Sequence, residues 1–165
     1  MKDNKDLKFV SYCALYCGNC FLRIGDITDL SQQLLKRFRQ IKFEKWAKGL
    51  AGISKELEAF EKYESCYEVL AAWDGMRCTK ICKEGGGSTS CRIRICCREK
   101  NIEGCWECEC FKNCDNLAWL VPVNGQVNIN NIKKIIAKGM YKFIEEIRGK
   151  EYGDFYETEK GEENV

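Results

Sequence analysis

Histidine is absent from the chain, and proline occurs once, at Pro122. Without imidazole, Ser/His and Cys/His catalytic pairs are excluded, and so are mixed Cys/His zinc fingers and histidine-ligated catalytic zinc sites. No run of eighteen apolar residues occurs, so no membrane span is expected. The opening segment, MKDNKDLKFVSYC, lacks the uninterrupted apolar core and small-residue cleavage site of a secretory signal, which leads to the expectation of a cytoplasmic protein. β-Branched alternation is sparse, and together with the scarcity of proline this leans toward helices. Net charge is close to balance at +2 and says little as a total, but its distribution is uneven. Basic residues gather at 36–48 and 75–100, and acids at 151–165.

What the sequence has in quantity is cysteine, thirteen in 165 residues. Nine lie between Cys78 and Cys114, and a smaller group, Cys13-x3-Cys17-x2-Cys20, precedes them. A disulfide scaffold is one explanation. The odd count, a length beyond that of stapled mini-proteins and the absence of a signal favour thiolate ligands for metal. Two cysteines separated by two residues can reach one tetrahedral ion from a single tight turn, with metal–sulfur distances of about 2.3 Å. Cys17-Gly-Asn-Cys20 and Cys105-Trp-Glu-Cys108 both have that spacing. Four thiolates around Zn²⁺ leave a net charge of about −2. Lys80, Lys83, Arg92, Arg94 and Arg98 lie close in sequence and would offset it, or serve simply as a solvated surface.

Iron–sulfur clusters suit an all-sulfur donor set equally well. The spacing of Cys13, Cys17 and Cys20 is that of radical-SAM clusters, but the chain is short for the barrel that surrounds such chemistry. The x2-x2-x3 ferredoxin run is missing. Gly85-Gly86-Gly87-Ser88 does not end in a phosphate-loop signature and reads as a flexible hinge between ligands.

The chain around the thiols reads as helical. Thr28 to Lys48 carries Leu30, Leu34, Phe38 and Ile41 on one face, with a break expected near Ile41. Ser54 is placed to cap a second helix running to about Trp73, and Cys66 inside it is expected to be a buried, inert thiol. Cys91 to Lys100 forms a short helix, and Asn124-Gly125 a turn. Asn130 is expected to cap a last helix with the stripe Ile132, Ile135, Ile136, Met140, Phe143, Ile144 and Ile147, stopped by Gly149. That face is expected to pack into the core.

The cysteine stretches resemble a prokaryotic family, domain of unknown function 3795. Its members open with a Cys-Gly-x-x-Cys-x-x-Cys-like element, pass through a helical segment to a cysteine turn followed by glycines, and close with Cys-x-Ile-Arg-x-Cys and Cys-x-x-Cys-x-x-Phe-x-x-Cys. Here the opening is Cys13 to Cys20, and the turn is Cys78 to Cys82 followed by Lys-Glu-Gly-Gly-Gly. The Ile-Arg element is Cys91-Arg-Ile-Arg-Ile-Cys96, and the close runs from Cys105 through Cys108 and Phe111 to Cys114. Ile81 stands where glycine is usual, while Cys66, Cys97 and Cys110 fall outside the pattern. Cys97 directly follows Cys96, which sets it aside as a partner in the same tetrahedral site.

The resemblance implies ten metal ligands: Cys13, Cys17, Cys20, Cys78, Cys82, Cys91, Cys96, Cys105, Cys108 and Cys114. It further implies zinc, in a soluble cytoplasmic protein. The combined expectation is a mainly α domain over residues 1–150, with cysteine-rich loops stabilised by metal, and an acidic tail over 151–165. Its role is read as structural or interaction module rather than enzyme. The alternative is an iron–sulfur redox protein. A protein partner is the first expectation, a nucleic-acid partner the second on the basic stretches, and no membrane partner is expected.

Overall fold

A computed structural model describes residues 6–150. The acidic segment 151–165 lies outside the described residues. The fold is mostly α, as the sequence implied. In chain order the α-helices are α1 (Phe21–Ile24), α2 (Asp26–Ile41), α3 (Phe43–Ala51), α4 (Tyr63–Asp74), α5 (Arg92–Glu99), α6 (Asp115–Ala118), α7 (Val121–Asn124), α8 (Val127–Lys138) and α9 (Met140–Ile147). Short 3-10 segments join them, and an isolated antiparallel bridge pairs Val10 with Tyr16. Among the described residues no helix is long and apolar enough to cross a membrane.

The chain divides into two compact units, one made of residues up to Ile24 and from Cys78 onward, the other of Gly25–Arg77. The second unit holds α2, α3 and α4. The break expected near Ile41 is present: Lys42 adopts a left-handed conformation, φ 54°, and its N–H bonds back to the carbonyls of Arg39 and Phe38. The reversal brings Phe43 onto Phe38, with ring centroids 4.9 Å apart, and Tyr63, Phe60 and Tyr67 extend the aromatic cluster. The buried side of α2 is not the stripe that periodicity suggests. Thr28, Ser31 and Leu35 are buried, whereas Leu30 is 66% exposed and Leu34 and Ile41 are exposed too. The reason is polar: the Ser31 hydroxyl donates to the Leu70 carbonyl at 2.6 Å and Thr28 to that of Trp73 at 3.4 Å, which ties α2 to α4 through its small residues. Ser54 makes no side-chain capping bond; a 3-10 stretch, Lys55–Lys62, precedes α4. Cys66 is exposed on α4, contrary to the expected burial.

The first unit has its core where three cysteine-bearing segments meet the last two helices. Val10, Ala14 and Tyr16, then Ile93, Cys97, Cys105, Phe111 and Leu117, pack with Ile132, Ile135, Phe143, Ile144 and Ile147. Burying one such large aliphatic or aromatic side chain is worth about 1.5–3 kcal/mol. The expected last helix is in fact two. Gly139, φ 82° and ψ 158°, occupies a backbone region essentially closed to other residues and separates α8 from α9. The stripe survives the break, except that Ile136 is 55% exposed. The last helix stops at Ile147, just before Gly149 at φ 83°. Asn130 lies within α8 and is not its cap; the asparagines that matter are its neighbours Asn128 and Asn131, both buried.

Candidate metal centres

All thirteen cysteines fall among the described residues as free thiols, and twelve belong to the first unit. The twelve come from residues 13–20, 78–97 and 105–114, the first far in sequence from the other two, and what brings these stretches together can be named. Residues 10–16 make a tight hairpin. Ser11 N–H donates to the Leu15 carbonyl at 2.8 Å, and Cys17 N–H to that of Phe9 at 2.7 Å. Ala14, at its tip, is fully buried and left-handed at φ 64°. The tip is held from behind by α8. The Asn128 amide donates to the Cys13 carbonyl at 2.8 Å and Asn131 to the Ala14 carbonyl at 3.0 Å. Asn19 likewise donates to Ile147 and Lys150, capping the end of α9. Two backbone bonds then bring in the later cysteines: Cys105 N–H reaches Tyr12 at 2.8 Å, and Cys78 N–H reaches Leu22 at 2.9 Å.

The glycine run is an ordered turn rather than the flexible hinge expected. Gly85 and Gly87 have φ of 95° and 72°. Gly86 sits against the Lys80 carbonyl so closely that a Cβ there would lie 1.8 Å from the oxygen. Arg94, buried on α5, fastens the turn. Its guanidinium donates to the carbonyls of Gly86 at 2.7 Å, of Cys82 at 3.5 Å, and of Ser88. The arginine expected to offset thiolate charge therefore also holds the loop in shape. It faces Cys82 as well, and its charge and hydrogen bond act against the rise that burial imposes on that thiol. Lys83 is similarly committed. Its ammonium lies 3.9 Å from the centroid of Tyr12 and 5.5 Å from that of Trp106, and it bonds the Glu103 carbonyl.

The thiols fall into two groups. The first surrounds Cys17, whose electrostatic neighbours are Cys82, Cys20 and Cys78. Cys13 adjoins it through Cys82 and Cys91. Polar groups support these sulfurs: the backbone of Cys82 acts on Cys17 and that of Tyr12 on Cys82, while Ser11 Oγ lies 3.1 Å from Cys13 Sγ and itself accepts from the Leu15 N–H at 2.9 Å. Such donors stabilise a thiolate. Against them, burial pushes Cys13 up to about 12 and Cys17 up to about 11, so a cation is what the buried sulfurs need in order to ionise at neutral pH.

The second group lines a small cavity of about 60 Å³. Cys96, Cys97, Cys105, Cys108, Cys110 and Cys114 face it, together with Ile93, Phe111 and Leu117. Cys97 and Cys105 are the buried pair, with Sγ atoms 3.9 Å apart. The bond between them favours ionisation of Cys97, and together with burial it keeps Cys105 protonated. Lys100 stands at the mouth with its Nζ 3.7 Å from Cys108 Sγ, and the charges of Cys108 and Cys96 raise it.

Sequence reasoning misses Cys97 and Cys110 as members of this group. Adjacency to Cys96 argues against Cys97, yet both side chains reach the cavity from α5. The available signal is the i, i+4 relation of Ile93 and Cys97, which places Cys97 on the buried side. Among the described residues no group of three or more Cys, Asp or Glu side chains is arranged to hold a metal ion. The donor set nevertheless fits a soft cation: sulfur without imidazole, hydrogen-bonded by amides, with basic side chains alongside.

No curated protein and no solved structure matches the chain. A family's sequence profile does match, over residues 9–119, a span holding all three cysteine stretches and both thiol groups. The chain therefore belongs to the family described as "Protein of unknown function (DUF3795)".

Proposed function

We propose that the protein is a zinc-binding module in which all-cysteine centres knit the loop segments onto α8 and α9. The observation that carries this reading is the gathering of twelve thiols, from residues 13–20 and the distant run 78–114, into one unit beside amide donors and basic side chains. The ten cysteines of the family pattern supply the ligands. Cys17, Cys20, Cys78 and Cys82, with Cys13 and Cys91 adjoining, serve the first centre. Cys96, Cys105, Cys108 and Cys114 serve the second.

The bound ion would supply cross-linking and charge neutralisation, adding to the apolar core a direct tie between segments joined by few backbone hydrogen bonds. The residues' share is to present sulfur, to orient it through the Tyr12 and Cys82 amides and the Ser11 hydroxyl, and to hold the turn through Arg94. A structural role in interaction with a protein partner follows better than nucleic-acid binding. Arg94 and Lys83, two of the basic residues that suggested the latter, are spent inside the fold.

The test is removal of metal by a strong chelator under reducing conditions, followed by circular dichroism and limited proteolysis. Cleavage opening within residues 78–114 is expected. Unchanged dichroism and protease resistance after verified metal removal would refute the proposal.

A further inference from the structure

The second thiol group contains more sulfur than one ion can use. A tetrahedral zinc takes four ligands, and six cysteines face the cavity bounded by α5 and the 3-10 turns near Cys105 and Phe111. Four fit the family pattern. The other two, Cys97 and Cys110, have different surroundings and call for different explanations. Cys97 is 1% exposed, and burial as a small apolar residue would account for it. Cys110 is exposed, so core packing does not account for its place on the cavity wall.

The six divide by position. Cys97 and Cys105 are buried, with Cys13 of the first group and Cys114 of this one as further electrostatic neighbours of Cys105. Cys96, Cys108 and Cys110 are grouped around Lys100. Among the six that line the cavity this leaves an inner trio and a trio at the mouth, the division that two ions sharing thiolates would need.

The spacing agrees. Two sulfurs on one tetrahedral ion with 2.3 Å bonds lie about 3.8 Å apart, and Cys97 and Cys105 are at 3.9 Å. Adjacency in sequence, which keeps Cys96 and Cys97 from serving one ion together, does not keep them from serving two neighbouring ions. Charge agrees as well. Two divalent cations with six thiolates carry a net charge of about −2, the same as one cation with four. One cation facing six sulfurs would leave two of them protonated or the site more negative.

Resting on the zinc-binding reading above, we infer that Cys96, Cys97, Cys105, Cys108, Cys110 and Cys114 form a binuclear site, two divalent d¹⁰ cations joined by bridging thiolates. With six sulfurs and two tetrahedral ions, two thiolates bridge and four are terminal. Cys97 and Cys105 stand at the separation of two sulfurs on one ion, and of the two it is Cys105 that is free to bridge, since Cys97 on both ions would share one of them with Cys96.

The experiment compares the full-length wild type with Cys97→Ser, Cys110→Ser and, as a control on an exposed cysteine of the other unit, Cys66→Ser. Native mass spectrometry after anaerobic purification counts ions per chain. Substitution with ¹¹³Cd then reads the site by NMR. Cys97→Ser and Cys110→Ser are each expected to carry one ion fewer than wild type, and Cys66→Ser the same number. Wild-type protein is expected to give two mutually coupled ¹¹³Cd resonances that both variants lose. Because Cys110 is exposed, its variant stays informative if Cys97→Ser fails to fold.

Variants that keep the wild-type ion count, a wild-type spectrum without a coupled pair, or a mass increment from iron and sulfide would each overturn the binuclear site. If metal is present and only the variants fail to respond, the zinc-binding reading stands without it. If wild type carries no metal, both fall.

Discussion

Replacing Gly86 by alanine should be far more damaging than the same change at the glycines on either side. An ideal Cβ at Gly86 would lie 1.8 Å from the Lys80 carbonyl oxygen and 2.6 Å from its carbon. Both are backbone atoms and cannot swing away as a side chain could. Moving the two stretches of chain apart breaks the bond from Gly86 N–H to the Ile81 carbonyl, now 2.9 Å, and disturbs the Arg94 guanidinium on the Gly86 carbonyl. A neutral hydrogen bond contributes about 1 kcal/mol and one from a charged group about 1.5–3 kcal/mol, so a loss of about 3 kcal/mol is expected. Gly85 and Gly87 meet no atom within 4 Å at the same position, and only their positive φ resists a side chain. Their alanine variants should cost roughly 1–2 kcal/mol each. Urea denaturation of the three variants, purified alike, measures the order. A Gly86→Ala protein as stable as Gly85→Ala or Gly87→Ala would refute the reasoning.

Arg94→Lys keeps the charge but not the fork that spans three carbonyls, and should lower stability by about 2 kcal/mol, read from the same denaturation curves. The double variant Asn128→Ala with Asn131→Ala leaves the Cys13 and Ala14 carbonyls unpaired behind the first thiol group. It should cost about 1–3 kcal/mol per site, and hydrogen exchange should rise at residues 10–17. Acidification should release metal. Cys13 and Cys17, at about 12 and about 11 without an ion, bind protons more tightly than ordinary thiols. Protons therefore compete with the cation, and apparent affinity falls as pH falls. A chromogenic chelator titrated across pH 5 to 8 follows this, and affinity independent of pH would contradict it.

Elements carried by local signals are legible in the sequence itself. The short helix after Cys91, the break near Ile41 and the core-facing stripe through Ile132, Phe143 and Ile147 all follow from periodicity. Periodicity misjudges the places where polar contacts decide burial. On α2 the hydroxyls of Thr28 and Ser31 find carbonyls on α4, so the small face turns inward and Leu30 outward. On α8 the asparagines turn inward because the Cys13 hairpin leaves carbonyls to be satisfied. Among the described residues no buried side-chain nitrogen or oxygen lacks a hydrogen-bond partner, and that bookkeeping depends on distant residues no local window contains.

The thiols are legible as a set but not as groups. Spacing pairs Cys17 with Cys20 and Cys105 with Cys108. Only the folded chain shows that Cys78 and Cys82 join the former while Cys96 and Cys114 join the latter. The glycine run reads as slack because glycine is permissive. Its role is the opposite: two positions need left-handed φ and the third has no room for a side chain.

Elemental analysis of protein purified anaerobically, without added metal and without an affinity tag that binds it, tests the account most directly. The prediction is a colourless protein with more than one zinc ion per chain and ligand thiols that, unlike the exposed Cys66, become reactive only when the zinc is withdrawn. A folded protein free of metal, or one whose cysteines are joined to each other, would contradict it, and so would broad visible absorbance from iron and sulfide.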